Sequence, residues 1–341
     1  MGTEALREAV RRLARRESLS AHDTAAAFRE VMAGDGTPAL VAAMLAALRV
    51  KGESADEVAG AAMALREAMI TLDVPDAESL VDTCGTGGGV VGTFNISTAA
   101  AIVAAGAGVR VAKHGNRSFT TKCGSADVLE ALGVAIDVPV SRMATVLDEA
   151  GIVFMFAPTM HPAMRHVGPV RRELGIETVM NLVGPLANPA RAGRQVVGVS
   201  DAARAELMAG ALATLGSTHS LVVHGAPGMD EVSPLGPTSV IEVRGNARSR
   251  WTINPSELGF LAVSAEELKG GDPAQNAATI EAVLEGGGAK GAVAAVLLNA
   301  AAAIVVGGRA DTLQGGLDLA RDSIAAGSAL AALNRLRRAT H

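Results

Sequence analysis

The chain has 341 residues, of which 49% are hydrophobic but only 2% aromatic, and its formal net charge is −5. This length is enough for one large domain or two unequal ones. The negative charge argues against a general binder of nucleic acid or of anionic membranes, because such proteins need a basic surface. Two cysteines cannot form a disulfide framework. The charged first 18 residues do not resemble a secretory signal, so we expect a cytoplasmic protein.

The sequence pattern of residues 1–70 predicts only helices. Ser20 and Thr37 are the predicted N-caps of two helices whose apolar residues recur at three- and four-residue spacing. Ser54 and Glu57 have the spacing of a capping box at the start of another helix.

From about residue 78 the pattern changes to short apolar runs followed by glycine-rich turns and alanine-rich helices. Strand-then-loop segments are predicted over 79–89 and 109–116, with helices over 97–108 and 125–133. This alternation predicts an α/β fold with a mostly parallel sheet, in which ligands gather at the loops after the strand ends.

The second half of the chain is expected to continue the same plan. Residues 154–175 predict a loop followed by a basic helix, 179–190 a turn-rich segment, and 220–225 a buried strand. The run 291–308 is apolar enough to suggest a membrane span. Asn299 at its centre and its alanine content favour a buried helix or a strand-helix pair instead, and no membrane association is expected.

The loop GTGGGVVGTFNIST, residues 85–98, is suited to bring backbone N–H groups close to an anion. It is not a P-loop, because Thr93-Phe94 replaces the required Lys-Ser/Thr. It is not a dinucleotide fingerprint either, because no acidic residue lies between Asp82 and Asp127.

Four cations lie in this acid-free stretch: Arg110, Lys113, Arg117 and Lys122. They indicate a local site for a multiply charged anion such as a diphosphate; the alternative is a solvated basic face.

A pair of carboxylates, Asp230 and Glu231, follows the predicted strand 220–225. Carboxylate oxygens are hard ligands suited to Mg²⁺, which works bridged to substrate phosphates rather than in an all-protein cage. The alternative is an ordinary surface turn, and the pair gains its meaning from the anion site predicted beside it.

Taken together, the segments 85–98, 113–117, 124–133, 161–175 and 181–190 and the Asp230–Glu231 pair resemble the anthranilate phosphoribosyltransferases, along essentially the whole chain. The resemblance implies transfer of the phosphoribosyl group of phosphoribosyl diphosphate (PRPP) to the amine of anthranilate, in tryptophan biosynthesis. It also implies Mg²⁺, with two ions per subunit, and a homodimer.

The resemblance further implies the site residues, with no catalytic nucleophile or general base among them. The PRPP-binding residues are Gly85, Gly87, Gly88, Gly89, Thr93, Asn95, Ser97, Thr98, Lys113, Arg117, Thr120, Thr121 and Ser125. The anthranilate-binding residues are Gly85, His114, Asn116, Ala157, Pro158, His161, Met164 and Arg171. The metal ligands are Ser97, Asp230 and Glu231.

This sequence departs from the family pattern at two places. Gly89-Val90 stands where the family has Asp-Gly, which removes one polar contact to the ribosyl substrate. Thr120-Thr121 stands where the family has Ser-Ser, which keeps both hydroxyls.

The expected architecture is a small all-α domain hinged to a larger α/β domain with a mostly parallel central sheet, and the substrates bind in the cleft between them. The small domain comprises residues 1–70 plus about 165–190; the large one comprises about 78–164 plus 191–341. Two alternative functions are a pyrimidine nucleoside phosphorylase, which lacks KHGN and the carboxylate pair, and a non-catalytic nucleic-acid-binding relative, which the net charge opposes.

Overall fold

The computed structural model describes residues 2–118 and 122–341. The chain opens with four helices: α1 Glu4–Ala14, α2 Ala21–Ala33, α3 Pro38–Lys51 and α4 Ala55–Ala68.

The starts of these helices confirm the predicted caps. The Ser20 hydroxyl accepts a hydrogen bond from the Asp23 N–H, and the Thr37 hydroxyl accepts one from the Leu40 N–H. Ser54 and Glu57 form a reciprocal capping box at α4. Each cap satisfies backbone N–H groups that the first helical turn leaves without partners.

Seven strands form one sheet in the order β3-β2-β1-β4-β5-β6-β7. They are β1 Val81–Gly85, β2 Val111–Gly115, β3 Ile152–Phe156, β4 Arg194–Gly198, β5 His219–Gly225, β6 Thr238–Arg244 and β7 Ala247–Ile253. The pairs from β3 across to β5 are parallel, and β6 and β7 add an antiparallel edge. The predicted mostly parallel α/β sheet is confirmed.

The remaining helices lie between and after the strands. They are α5 Ile96–Gly106, α6 Ser125–Ala131, α7 Val140–Ala150, α8 Ala157–Met160, α9 Gly168–Leu174, α10 Met180–Leu186, α11 Ala205–Thr214, α12 Pro273–Leu284, α13 Lys290–Val306, α14 Leu313–Ala325 and α15 Ser328–Thr340.

Two segments differ from the sequence prediction. The predicted loop from residue 154 is wrong at its start, because Phe154–Phe156 completes β3, a buried apolar strand that pairs with β2. The turn-rich segment 179–190 contains α10, which accommodates Pro185 near its end. The breaker residues therefore shorten these elements rather than prevent them.

The sheet separates two hydrophobic cores. On one face, α5 and α12–α15 pack over alternate strand residues such as Val196, Leu221 and Val223. On the other face, α11 packs on Val197 and Val222 and continues into the core of α1–α4. Apolar residues between 163 and 187 join this second core, so the segment that contains α9 and α10 packs with the N-terminal helices.

The apolar run 291–308 forms α13, a 17-residue helix whose residues are almost all buried in the first core. Among the described residues, no helix combines the length and apolar character needed to cross a membrane. The predicted buried helix is confirmed.

A fully buried carboxylate, Glu57, lies in the helical core. Its two oxygens accept hydrogen bonds from the N–H groups of Leu19 (3.0 Å) and Ser54 (2.8 Å) and from the Lys51 ammonium (3.0 Å). The Lys51 side chain is only 7% exposed. The pair is therefore a buried one, in which each charge depends on the other.

We expect Lys51→Met to destabilise the protein by about 3 kcal/mol, because it leaves the Glu57 charge buried without its cation. The matched control is Arg29→Met, since Arg29 and Glu67 form a pair in which both side chains are about half exposed, and its loss costs under about 1 kcal/mol. Urea unfolding measures both free energies, and equal values would show that the Lys51 pair is not effectively buried.

Candidate active site

The glycine loop begins where β1 ends and lies directly against Asp230. Gly87 and Gly88 have φ values of +72° and +79°, which residues with a Cβ rarely adopt. A Cβ on Gly85 would lie 2.3 Å from the Asp230 carboxylate. These glycines are therefore required by both the turn and the close approach.

The predicted anion loop and the predicted metal carboxylates share one site. The Gly87 N–H donates to Asp230 Oδ2 at 2.7 Å, and the Ser97 N–H, in the first turn of α5, donates to Glu231 Oε1 at 3.2 Å. The Val90 N–H also bonds to the Gly228 carbonyl at 3.1 Å. The structure thus brings residues 85–98 and 230–231 together.

The surroundings of the two carboxyl groups disfavour their charged forms. Burial, with Asp230 beside it, raises the pKa of Glu231 to about 8, and the nearby Lys113 ammonium opposes this shift. Burial also raises the pKa of Asp230, although the hydrogen bond from the Gly87 N–H opposes this shift. A cation bound here would stabilise the charged forms of both carboxylates.

Lys113 lies beneath the loop, 2% exposed. Its ammonium donates to the Thr83 carbonyl at 2.6 Å and to the Ser97 hydroxyl at 3.4 Å. Burial lowers its pKa, while Asp82 opposes the shift. Ser97 therefore contacts both Lys113 and Glu231, and Asp230 is the neighbour of Glu231 in the chain.

The donor set fits a hard divalent cation. Its oxygens come from Ser97, Asp230 and Glu231, and such a small set suits Mg²⁺, which keeps several waters and substrate oxygens as ligands. Residues 2–118 and 122–341 hold no group of three or more His, Cys, Asp or Glu side chains that could form an all-protein metal cage.

Two predicted anthranilate residues, His114 and His161, form a buried pair. Their Nε2 atoms lie 3.1 Å apart, so one ring donates and the other accepts. Burial, aided by His161 and Lys113, lowers the pKa of His114 to about 3, and burial lowers that of His161 to about 4. Both imidazoles are therefore neutral at neutral pH.

The predicted residues Asn116 and Ser125 hold each other across the loop after β2. The Asn116 N–H donates to the Ser125 hydroxyl at 3.2 Å, and that hydroxyl donates to the Asn116 carbonyl at 3.3 Å. The Asn116 side-chain oxygen accepts from the Arg117 N–H at 2.7 Å. Ser125 then begins α6, so these bonds join Asn116 to the start of that helix.

The Arg117 guanidinium, predicted to bind PRPP, is engaged elsewhere in this structure. It pairs with Asp127 at 2.8 Å and with Glu130 at 2.9 Å, and it lies 5.7 Å from the centre of the Phe156 ring. Thr120 and Thr121, also predicted to bind PRPP, lie outside the described residues.

Arg171 lies on α9 with its guanidinium largely buried, which lowers its pKa. Its Nη2 donates to the Asn181 side-chain oxygen at 3.3 Å. Within the described chain no carboxylate pairs with it, so this partly buried cation is able to bind an external one. The other predicted anthranilate residues lie before it: Ala157 and Pro158 open α8, and Met164 lies in the 3₁₀ helix 162–166.

Three other predicted PRPP-binding residues, Thr93, Asn95 and Thr98, lie in the last part of the loop 85–98 and in the first turn of α5. The Thr98 hydroxyl is buried and, within the described part of the chain, finds no hydrogen-bond partner. Thr93 pairs through its backbone with Lys269. Asn95 precedes α5; its side chain donates to the Cys123 carbonyl and accepts from the Asn276 side chain.

Gly89, which stands where the family has Asp, lies next to the carboxylate pair. A Cβ at this position would be 3.3 Å from Asp230 Oδ1. The family's Asp would therefore add a third carboxylate beside the pair, whereas here Val90 follows with 75% of its surface exposed.

Sequence reasoning missed three buried polar residues that support the site. Asp82 accepts the His114 N–H at 3.3 Å and the Asn188 amide at 2.7 Å. Asn299 accepts the Val232 N–H at 2.9 Å and donates to the Val232 carbonyl at 2.8 Å, which holds the chain next to Glu231. Two of them could have been found from the sequence, because Asp82 and Asn299 are polar residues within apolar runs.

Comparison with known proteins agrees with this geometry. The model of the glycosyl transferase family a/b domain matches residues 77–330, and that of the family's helical bundle domain matches residues 7–69. The curated anthranilate phosphoribosyltransferase of Roseiflexus sp. (strain RS-1) is 50% identical over 334 residues, covering 97% of each chain.

Solved structures agree as well. The crystal structure of anthranilate phosphoribosyltransferase from Thermus thermophilus has a TM-score of 0.92 and 42% identity, covering 97% of this chain and 99% of that one. The Saccharomyces cerevisiae enzyme in complex with PRPP and Mg has a TM-score of 0.89 and 28% identity, covering 99% and 98%. The chain therefore belongs to the anthranilate phosphoribosyltransferase family.

Proposed function

We propose that this protein transfers the phosphoribosyl group of PRPP to the amino nitrogen of anthranilate, releasing diphosphate, as a step of tryptophan biosynthesis. The observation that carries the proposal is the direct contact of the anion loop with the carboxylate pair, through Gly87–Asp230 and Ser97–Glu231. A site that joins the N–H groups of a glycine-rich loop, a buried ammonium and two carboxylates suits a diphosphate bound with a divalent cation.

The residues on the diphosphate side stabilise the leaving group. Negative charge develops on the diphosphate as its bond to the ribosyl carbon breaks, and the loop N–H groups, the N-terminus of α5 and Lys113 are fixed in place to meet it. Mg²⁺ would be held by Ser97, Asp230 and Glu231, with two ions per subunit, and would neutralise charge on the phosphates.

The residues on the anthranilate side position the acceptor. An aryl amine is uncharged at neutral pH, so it needs orientation more than a strong base, and the neutral His114–His161 pair adds no competing charge. Arg171 binds the anthranilate carboxylate as a fork, helped by Asn116. Ala157, Pro158 and Met164 contact the ring, and we propose no catalytic nucleophile.

The architecture of the proposed enzyme is a helical domain of residues 1–70 and about 165–190, hinged to the α/β domain. The shared core of α1–α4, α9 and α10 supports this division. Closure of the cleft excludes water, which competes for the ribosyl carbon. We further propose a homodimer and a cytoplasmic location, as the family resemblance implies.

The test of the function is the loss of anthranilate fluorescence after PRPP and Mg²⁺ are added to the purified protein. The expected result is a decrease that requires all three components and releases one diphosphate per anthranilate consumed. Folded protein that produces no decrease at any Mg²⁺ concentration would refute the proposed activity.

We expect Arg171→Ala to raise the KM for anthranilate by about tenfold to a hundredfold, because a charge-assisted fork is lost, with little change in the KM for PRPP. Arg171→Lys keeps the charge but not the fork and should recover only part of the loss. The neighbouring Arg172 is exposed, and Arg172→Ala serves as the control. An equal rise in both KM values would assign Arg171 another role.

We expect Asp230→Asn to raise the Mg²⁺ concentration for half-maximal activity by roughly tenfold or more, because a hard anionic ligand is removed. Asp311→Asn removes the same charge at an exposed position between α13 and α14 and should leave the Mg²⁺ response unchanged. If the two variants respond to Mg²⁺ alike, Asp230 is not a metal ligand.

A further inference from the structure

The N-terminus of α12 lies against the end of the glycine loop. The Phe94 N–H donates to the Leu268 carbonyl at 3.0 Å, and the Gly270 N–H donates to the Gly92 carbonyl at 3.1 Å. A Cβ on Gly270 would lie 2.3 Å from the Thr93 carbonyl oxygen, so the two segments are in close contact. The segment before α12 therefore runs antiparallel to residues 92–94.

The first turn of α12 is itself rigid. Asp272 and Gln275 form a reciprocal capping box, with bonds of 2.9 and 3.2 Å, and Pro273 opens the helix. The next residue, Asn276, is only 2% exposed. A stiff helix start thus presents a buried amide to the end of the glycine loop.

Asn276 and Asn95 form a directed chain of hydrogen bonds. The Gly271 N–H donates to Asn276 Oδ1 at 2.7 Å, Asn276 Nδ2 donates to Asn95 Oδ1 at 2.9 Å, and Asn95 Nδ2 donates to the Cys123 carbonyl at 3.2 Å. Both ends are backbone groups of fixed polarity, a donor at Gly271 and an acceptor at Cys123. This fixes the orientation of both amides without ambiguity.

Both ends of the Asn95 carboxamide are therefore occupied within the protein. Its oxygen accepts from Asn276 and also from the Cys123 thiol at 3.3 Å, and its nitrogen donates to the Cys123 carbonyl. Three segments meet at this side chain: the end of the glycine loop, the chain that leads to Ser125, and the start of α12.

We propose that Asn276 is a positioning residue for PRPP binding, which acts through Asn95 to hold the glycine loop and the Ser125 segment in the geometry that receives the diphosphate sugar. The inference rests on the proposed function, because PRPP is the ligand that this site is proposed to take.

Asn276→Ala removes both bonds of this side chain and leaves the Gly271 N–H and the Asn95 oxygen without their Asn276 partner. The expected result is a rise of about three- to tenfold in the KM for PRPP, the effect of losing one net hydrogen bond. The KM for anthranilate should change by less than about twofold, since Arg171 and the histidine pair are untouched.

A double-mutant cycle with Asn95→Ala tests whether Asn276 acts through Asn95. The expected KM for PRPP of the double variant equals that of the more damaged single variant, because either change breaks the same chain. Multiplication of the two single effects would overturn the proposal, and so would an unchanged KM with only kcat or stability reduced.

Asn276→Asp is the variant that keeps the fold. A carboxylate still accepts the Gly271 N–H and suits the first turn of a helix, but it cannot donate to Asn95. Gln275→Glu is the matched control, because it adds the same charge one residue away at an exposed position and still accepts the Asp272 N–H.

The Asn276→Asp variant should raise the KM for PRPP at least about threefold more than the Gln275→Glu control, and the difference should persist at high salt, where charge repulsion is screened. An equal effect of both variants would overturn the proposal. Calorimetric titration of Mg²⁺-PRPP without anthranilate separates the two inferences: if the natural protein binds PRPP but transfers nothing, the proposed function fails while the Asn276 test still applies.

Discussion

The site depends on the contact between the glycine loop and the Asp230–Glu231 pair. Asp230 is bound by the Gly87 N–H, and Glu231 by the Ser97 N–H at the start of α5. One pair of acidic residues thereby orders both the turn after β1 and the first turn of a helix. The loop in turn can come this close only because a Cβ is absent at Gly85. The residues that surround the site hold this contact in place.

The supporting residues are buried polar side chains that form their hydrogen bonds within the protein. Asn299 holds the chain next to Glu231 from the middle of an apolar helix, and Asp82 holds the backbone of His114. Such groups contribute little net stability, but they leave few alternative arrangements once every partner is satisfied. Burial and the neighbouring Asp230 raise the pKa of Glu231, and a bound cation would offset this cost to its charged form.

Local signals in the sequence were sufficient for much of this structure. Capping residues such as Ser54 and the alternation of apolar runs with glycine turns predicted the helices and the parallel sheet, because both depend on neighbouring residues. Contacts between distant segments could not be predicted in the same way. The ion pairs of Arg117 with Asp127 and Glu130 and the clamp of Asn299 on Val232 arise only when the chain has folded. The strand at Phe154 was missed because the Pro- and His-rich stretch that follows it dominated the local pattern.

The order of the strands has a consequence for how the chain reaches its native state. The glycine loop follows the central strand β1, yet its support, Asp230, is 143 residues further along the chain. Contacts of such long sequence separation form slowly, because a large loop must close before they contribute any energy. During synthesis, the bond between Gly87 and Asp230 therefore cannot form until β4, β5 and the segment after them have left the ribosome. The glycines of the loop, which are costly to order in an unfolded chain, gain their fixed conformation among the last parts of the molecule.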